Sequence, residues 1–168
     1  NPRPPPAPKV LNFCREVVDL PAEVLDIGCG FGSLLQSFRQ GGYQVVGVEQ
    51  SAHRAHQVNT SVGIECHNLG IRNLAAGNLN RRFDLVISNH VLEHLFDPNV
   101  YFEALRTLLK PGGYAYIAVP DLHNGEYLPQ FFHSALHLSG FTPQALEQLA
   151  AKHGFRTVKL EVNSEIQF

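Results

Sequence analysis

A glycine-rich segment preceded by an acidic residue is the first feature of the chain that could do chemistry. Residues 24–32 read VLDIGCGFG. Its glycines let the backbone turn sharply and approach a ligand closely, and a helix that follows offers free N–H groups to an anion. A dinucleotide fingerprint requires GxGxxG, but Ser33 stands where the third glycine belongs. Asp26 suits a ligand with an ammonium group better than a pyrophosphate. The plain alternative is a tight strand–helix turn.

A second acidic residue, Glu49, ends the next apolar run 21 residues after Gly28. A carboxylate about 20 residues beyond such a loop can accept hydrogen bonds from both hydroxyls of a ribose. By itself Glu49 would be interpreted as a solvated loop carboxylate. Together with the glycine-rich loop it predicts a ribose site.

The elements that must position these residues alternate along the chain. Residues 1–8 are Pro-rich and are predicted to be a flexible lead-in, and residues 9–168 to be a single domain. Apolar patterns predict helices over 9–20, 33–40, 51–59, 97–109 and 142–153, and strands over 22–28, 43–49, 63–67, 83–88, 114–120 and 156–162, with 69–82 irregular. Strands that are apolar throughout and alternate with helices predict an α/β fold with a parallel sheet covered on both faces. Ligands bind such sheets beyond the carboxyl ends of the strands.

Composition restricts the function classes. A chain of 168 residues with 44% hydrophobic and 17% charged residues is typical of one globular domain. The net charge of -2 argues against a nucleic-acid partner, and no apolar run approaches the ~20 residues of a membrane helix. We expect no signal peptide at NPRPPPAP and, with three scattered cysteines, a reducing cytoplasm. The chain begins with Asn1 and contains no Met, as a processed or incomplete chain would.

Five segments in order carry a family resemblance. They are DIGCGFG, the Glu49 position, FDLVISNHVLEHLFDP, LLKPGGYAYIAVPD and HLSGFTPQALEQLAAKHGF. Together they resemble the class I S-adenosylmethionine-dependent methyltransferases, and more narrowly the small-molecule branch that contains ubiquinone-pathway and natural-product enzymes. The resemblance covers about residues 20–160. It implies a Rossmann-like, doubly wound, mostly parallel seven-stranded sheet. Only Glu165–Phe168 follow a turn expected at Asn163-Ser164, so we expect the last strand to be cut short.

The same resemblance implies a cofactor site for S-adenosylmethionine. Asp26, Gly28, Cys29, Gly30 and Gly32 would flank its methionine part. Glu49 would hold the ribose, with Gln50 beside the adenosine, and Asn89 and His90 would border the methionine end near the methyl group. Many relatives carry Gly-Asp after strand three, whereas this chain has Leu69-Gly70-Ile71. Adenine would therefore rest on backbone groups and on Ile71.

A base for the methyl acceptor is sought in residues 121–141, a connection long enough to form a lid or a substrate wall. Histidine has the near-neutral pKa that a general base needs. We predict His137 first and His133 second, with surface or packing roles as the alternative. His94, in the LEH stretch, is structural or catalytic. HSALH places two histidines four residues apart, but with no third ligand evident we expect no metal site.

Several functions stay open at this stage. The leading one is methyl transfer to an oxygen, nitrogen or carbon atom of a small molecule. The alternatives are a cofactor-binding, methyltransferase-like domain with an interaction or regulatory role in a larger protein, and a nicotinamide-dependent oxidoreductase. Methylation of nucleic-acid bases is disfavoured, because Ser88-Asn89 is followed by His90-Val91 instead of a (D/N/S)PP(Y/F/W) run. A protein substrate stays open, and the sequence indicates no oligomeric state.

Overall fold

The computed structural model describes residues 7–122 and 137–162. Helices and strands alternate through most of this part of the chain, as the apolar patterns predict. In chain order the elements are α1 (Ala7–Arg15), β1 (Glu23–Ile27), α2 (Ser33–Gln40), β2 (Gln44–Val48), α3 (Ala52–Gln57), a π-helical turn (Val58–Val62), β3 (Cys66–His67), α4 (Ile71–Ala75), β4 (Phe83–Asn89), a 3-10 turn (Leu92–His94), α5 (Pro98–Leu108), β5 (Leu109–Ala118) and α6 (Pro143–Lys152).

The described strands form one parallel sheet in the order β3-β2-β1-β4-β5. β1 is central and pairs with β2 on one side and with β4 on the other. The chain first adds strands outward from β1 in one direction and then returns to add β4 on the opposite side. The strand order therefore switches between β1 and β4, where α/β sheets of this kind bind their ligands.

Side-chain alternation along β1 divides the core between the two faces of the sheet. Val24 packs with Val10 of α1 and Phe38 of α2, whereas Leu25 packs with Phe102 of α5. α5 begins as its sequence predicts, because the Asp97 side chain accepts the Asn99 N–H at 3.0 Å ahead of the first turn. Both faces are thus covered by helices, which fixes the sheet and leaves the strand ends free to form a site.

Three local predictions were wrong. α1 begins at Ala7, inside the predicted lead-in, and ends at Arg15 instead of residue 20. Proline is tolerated in a first helical turn, since its missing N–H has no helical partner there. Residues 69–82, predicted as irregular, contain α4, whose start is capped by the Asn73 side chain on the Gly70 N–H. β5 begins at Leu109, ahead of the predicted 114, because its pairing with β4 continues past an irregularity in register.

The predicted sixth strand over 156–162 is also wrong, because this segment forms no strand. It is held by side chains instead. Lys159 Nζ lies 2.6 Å from Glu16 Oε2 and 4.2 Å from the centroid of the Phe13 ring, both on or next to α1. The described residues contain five strands, so the seven-strand count is not confirmed. Asn163-Ser164 and the predicted last strand lie outside the described residues.

The helices were also compared with what a membrane-spanning segment requires. None of the helices in the two described ranges has the length and apolar composition needed to cross a lipid bilayer.

Candidate functional site

The glycine-rich loop after β1 lies at the switch point of the sheet. The N–H groups of Gly28 and Cys29 donate to the Val48 carbonyl of β2 at 2.8 and 3.1 Å, which ties the loop to the neighbouring strand. Gly28 has φ +74°, and a Cβ placed on it would lie 2.7 Å from Cγ2 of Val91. Only glycine fits this position without strain, because both the backbone angle and the space exclude a side chain.

Glu49 turns back onto this loop from the end of β2. Its Oε2 accepts the Gly30 N–H at 3.1 Å and its Oε1 accepts the Ser51 N–H at 2.8 Å. Only 5% of the residue is exposed. Each carboxylate oxygen has two acceptor positions, so both can still accept a hydroxyl. The structure thus brings Glu49 and the glycine-rich loop together, as their spacing predicts.

Asp26 lies in the same place but deeper, with 2% of its surface exposed. Burial, together with the neighbouring Cys66 and Glu49, raises the pKa of its carboxyl to about 8. A cavity of about 140 Å³ opens beside it and is lined by Val10, Asp26, Gly28, Cys29, Ser33, Leu34 and Asn89. We name it the loop cavity. Four of the residues predicted for the methionine part share it.

Two cysteines meet behind this loop. The Sγ atoms of Cys29 and Cys66 lie 3.6 Å apart, and both residues are buried. The hydrogen bond with Cys66 and burial raise the pKa of the Cys29 thiol. Both side chains border Gly47, where an added Cβ would lie 2.9 Å from one sulfur and 3.2 Å from the other. Sequence reasoning missed this pair, because the cysteines are 37 positions apart.

The end of β4 carries the second group of predicted residues. His90 has φ +57°, and its N–H donates to the Ala118 carbonyl of β5 at 3.0 Å. Its Nδ1 lies 3.0 Å from Oε1 of Glu93, a residue with none of its surface exposed. The His94 and His137 rings lie 5.0 Å apart. The structure therefore places the predicted base His137 beside the LEH stretch.

A second, larger cavity runs along β5. It has a volume of about 1410 Å³, and its lining includes Asn89, His94, Tyr116 and His137. We name it the β5 cavity. Asn89 at the end of β4 lines both this space and the loop cavity, and so does Val10 of α1.

The remaining predicted residues are Gln50, Ile71, Gly32 and His133. Gln50 is exposed at the end of β2, and its carbonyl accepts the Asn68 side-chain amide at 2.9 Å. Ile71 begins α4 and is partly buried against the core. Gly32 precedes α2 in the left-handed conformation. His133 lies outside the described residues.

The family is decided by comparison of the whole chain. The family model described as "Methyltransferase domain" matches residues 3–160. The chain belongs to this methyltransferase family. The resemblance inferred from its five motifs is therefore confirmed. In this methyltransferase domain the glycine-rich loop, Glu49 and the end of β4 come together at one edge of the sheet, as the family resemblance implies.

Individual relatives and solved structures give the same picture. The methyltransferase domain is 39% identical over 95 residues to a ubiquinone biosynthesis O-methyltransferase of Cereibacter sphaeroides, a match that covers 54% of this chain and 38% of the relative. The chain thus spans about two fifths of that relative's length. A methyltransferase structure from Archaeoglobus fulgidus, described as S-adenosylmethionine-dependent, matches with a TM-score of 0.75 and 20% identity over 95% of this chain and 79% of that one. A glycopeptide N-methyltransferase solved with S-adenosyl-L-methionine matches with a TM-score of 0.56 and 18% identity over 64% and 51%. The two structural matches establish the Rossmann-like fold.

Proposed function

We propose that this domain binds S-adenosylmethionine and transfers its methyl group to an oxygen atom of a small molecule. The observation that carries the proposal is the position of Glu49, whose carboxylate is anchored on the Gly30 N–H at the switch point of the sheet. A buried carboxylate so placed suits a ribose. The relative from Cereibacter sphaeroides is named as an O-methyltransferase, which favours oxygen over nitrogen or carbon as the acceptor.

Each side chain of the site then has a role toward the cofactor. Asp26 would face the ammonium group of the methionine part, next to the close backbone approach at Gly28. Glu49 would accept hydrogen bonds from the ribose hydroxyls. Gln50 and Ile71 would border the adenine. These assignments agree with where the side chains lie, since Asp26 and Gly28 share the loop cavity and Glu49 contacts the same loop.

The proposed chemistry uses both cavities. S-adenosylmethionine supplies a methyl group already activated by its sulfonium, so the protein needs no covalent intermediate. Asn89 lines both cavities and would border the methyl group from the side of the acceptor. The acceptor would enter through the β5 cavity, which His137 also lines. The protein's work is to align the two reacting atoms and to exclude water.

Calorimetry tests the cofactor assignment. The purified chain should bind S-adenosylmethionine and S-adenosylhomocysteine with micromolar affinity or better, and should give no heat with NAD. The control variant Glu65→Ala should bind both adenosyl ligands like the parent. Glu65 is exposed, and its described ion-pair partners are His67 and Arg81. Heat with NAD and none with either adenosyl ligand would replace the proposal with a nicotinamide-dependent oxidoreductase.

A transfer assay tests the reaction. Labelled S-adenosylmethionine should methylate at least one member of a panel of hydroxylated small molecules. Tight cofactor binding with no transfer to small molecules, nucleic acids or proteins would instead favour an interaction or regulatory role in a larger protein.

A cytoplasmic location and the seven-strand count stay proposals. An experimental structure that includes residues 163–168 would test the count.

A further inference from the structure

Three side chains with metal-ligand atoms converge beside the end of β4. Glu93 and His94 belong to the 3-10 turn (Leu92–His94), and His137 comes from the segment after β5. One ligand atom from each residue lies within 4.8 Å of the other two. We propose that Glu93, His94 and His137 bind a divalent transition-metal ion such as Zn²⁺. We call these residues the Glu–His–His cluster.

The donor set fits such an ion. Two imidazole nitrogens and one carboxylate oxygen are a zinc-binding combination that leaves at least one coordination position open. If the three ligand atoms were each 4.8 Å apart, an ion at the centre of their triangle would lie about 2.8 Å from each of them. Bonds from zinc to nitrogen or oxygen are about 2.0–2.2 Å long. Small side-chain rotations, mainly of the exposed His94, would close that difference.

Burial of the Glu93 carboxylate points to a ligand. The residue has none of its surface exposed, and its Oε2 has no hydrogen-bond partner among the residues that the structure describes. A buried carboxylate oxygen without a partner is costly, and a bound cation removes that cost. His90 contacts the other oxygen, since its Nδ1 lies 3.0 Å from Oε1. Metal-ligating side chains commonly have an outer partner of this kind, which orients them.

Backbone hydrogen bonds hold the cluster together. The N–H groups of Leu138 and Ser139 donate to the Glu93 carbonyl at 2.8 and 3.1 Å. The Ser139 hydroxyl donates to the Leu95 carbonyl at 3.3 Å. These contacts fix the residues after His137 against the turn that carries Glu93 and His94. The ligand atoms are therefore brought together by the main chain, as a preorganised site requires.

The position of the cluster suggests what an ion would do there. His94 and His137 line the β5 cavity, where the acceptor of the proposed reaction would enter, close to Asn89. An ion with an open position lowers the pKa of a hydroxyl bound to it. The hydroxyl proton would leave to solvent, and the oxygen would form a bond to the methyl carbon. The carbon–sulfur bond would break with its electron pair kept by sulfur. This role rests on the proposed function, whereas metal binding itself does not.

Metal titration of the purified chain tests the site. After EDTA treatment and dialysis, calorimetry with ZnCl₂ should show one ion bound per chain, and CoCl₂ should produce visible absorption bands of bound cobalt. His94→Ala should weaken Zn²⁺ binding at least about tenfold. His94 is exposed, so its removal should leave the fold intact by circular dichroism. His56→Ala is the matched control, because His56 is an exposed histidine of α3 outside the cluster.

Two further arms separate this inference from the proposed function. His137→Ala should repeat the loss seen for His94→Ala, and Glu93→Gln should do the same with little change in side-chain shape. Absence of Zn²⁺ binding by the parent, or parent-like binding by both histidine variants, would overturn the metal site. S-adenosylmethionine binding measured in EDTA tests the proposed function alone. Zn²⁺ binding without any binding of adenosyl ligands would refute that function and support the site.

Discussion

Binding of S-adenosylmethionine should release a proton from Asp26. Burial raises the pKa of this carboxyl to about 8, so at pH 7 roughly nine tenths of it is protonated in the free protein. An ammonium group placed beside it favours the ionised form. We therefore expect about 0.9 proton to be released per ligand bound at pH 7. The affinity should rise about tenfold, or about 1.4 kcal/mol, per pH unit between pH 6 and 7.5.

Calorimetry in two buffers of different ionisation enthalpy measures this proton release directly. Asp26→Asn keeps the shape of the side chain but cannot ionise, so its affinity should not change with pH and its binding heat should not depend on the buffer. Asp84→Asn is the control. The hydrogen bond from the Glu23 N–H and the Lys110 ammonium group hold the pKa of Asp84 below its usual value, so this carboxyl stays ionised throughout. A parent protein whose affinity is flat from pH 6 to 7.5, with heats independent of buffer, would refute the reasoning.

Four further outcomes follow from the site. Glu49→Ala should weaken cofactor binding by about 2–3 kcal/mol in calorimetry, since bonds to a charged acceptor are lost, while Glu65→Ala binds like the parent. Gly30→Val should weaken it at least as much, because φ is +58° there and a side chain would block the approach of the ligand. His137→Ala should lose methyl transfer between pH 6 and 9 at saturating cofactor with unchanged cofactor affinity; parent-like turnover would remove His137 from the reaction. Because the pKa of Asp26 is raised on folding, its contribution to the free energy of unfolding is complete below about pH 4 and declines as pH rises toward 8. Urea denaturation should therefore show Asp26→Asn gaining stability over the parent between pH 5 and 8.

Local sequence signals explain why the glycine-rich turn and the position of Glu49 next to it could be predicted. The turn after β1 depends on glycines within a few residues, and the position of Glu49 depends on the length of one strand–helix–strand unit. The start of α6 also follows from neighbouring residues, since the Thr142 hydroxyl accepts the Ala145 N–H at 3.2 Å. Periodicity and capping act over a few residues, so they can be seen without knowledge of the fold.

The same local signals failed where long-range contacts decide the structure. Residues 156–162 carry strand-forming side chains, but a strand exists only when a neighbour supplies its hydrogen bonds. In the structure Lys159 contacts Glu16 and Phe13 near α1 instead. The expectation of no metal site stays a prediction, which the proposed Glu–His–His cluster now puts to the test.

The sequence by itself determined the α/β class, the glycine-rich turn and the acidic residue at the end of β2. Tertiary structure alone decided which distant residues meet. It brought Cys29 to Cys66, and it brought Glu93 and His94 to His137 across the end of β5. The physical reason is that periodicity reports the face on which a side chain lies, whereas its neighbours depend on strand order. That order is β3-β2-β1-β4-β5, and it is set by how each helical crossover packs against the whole sheet.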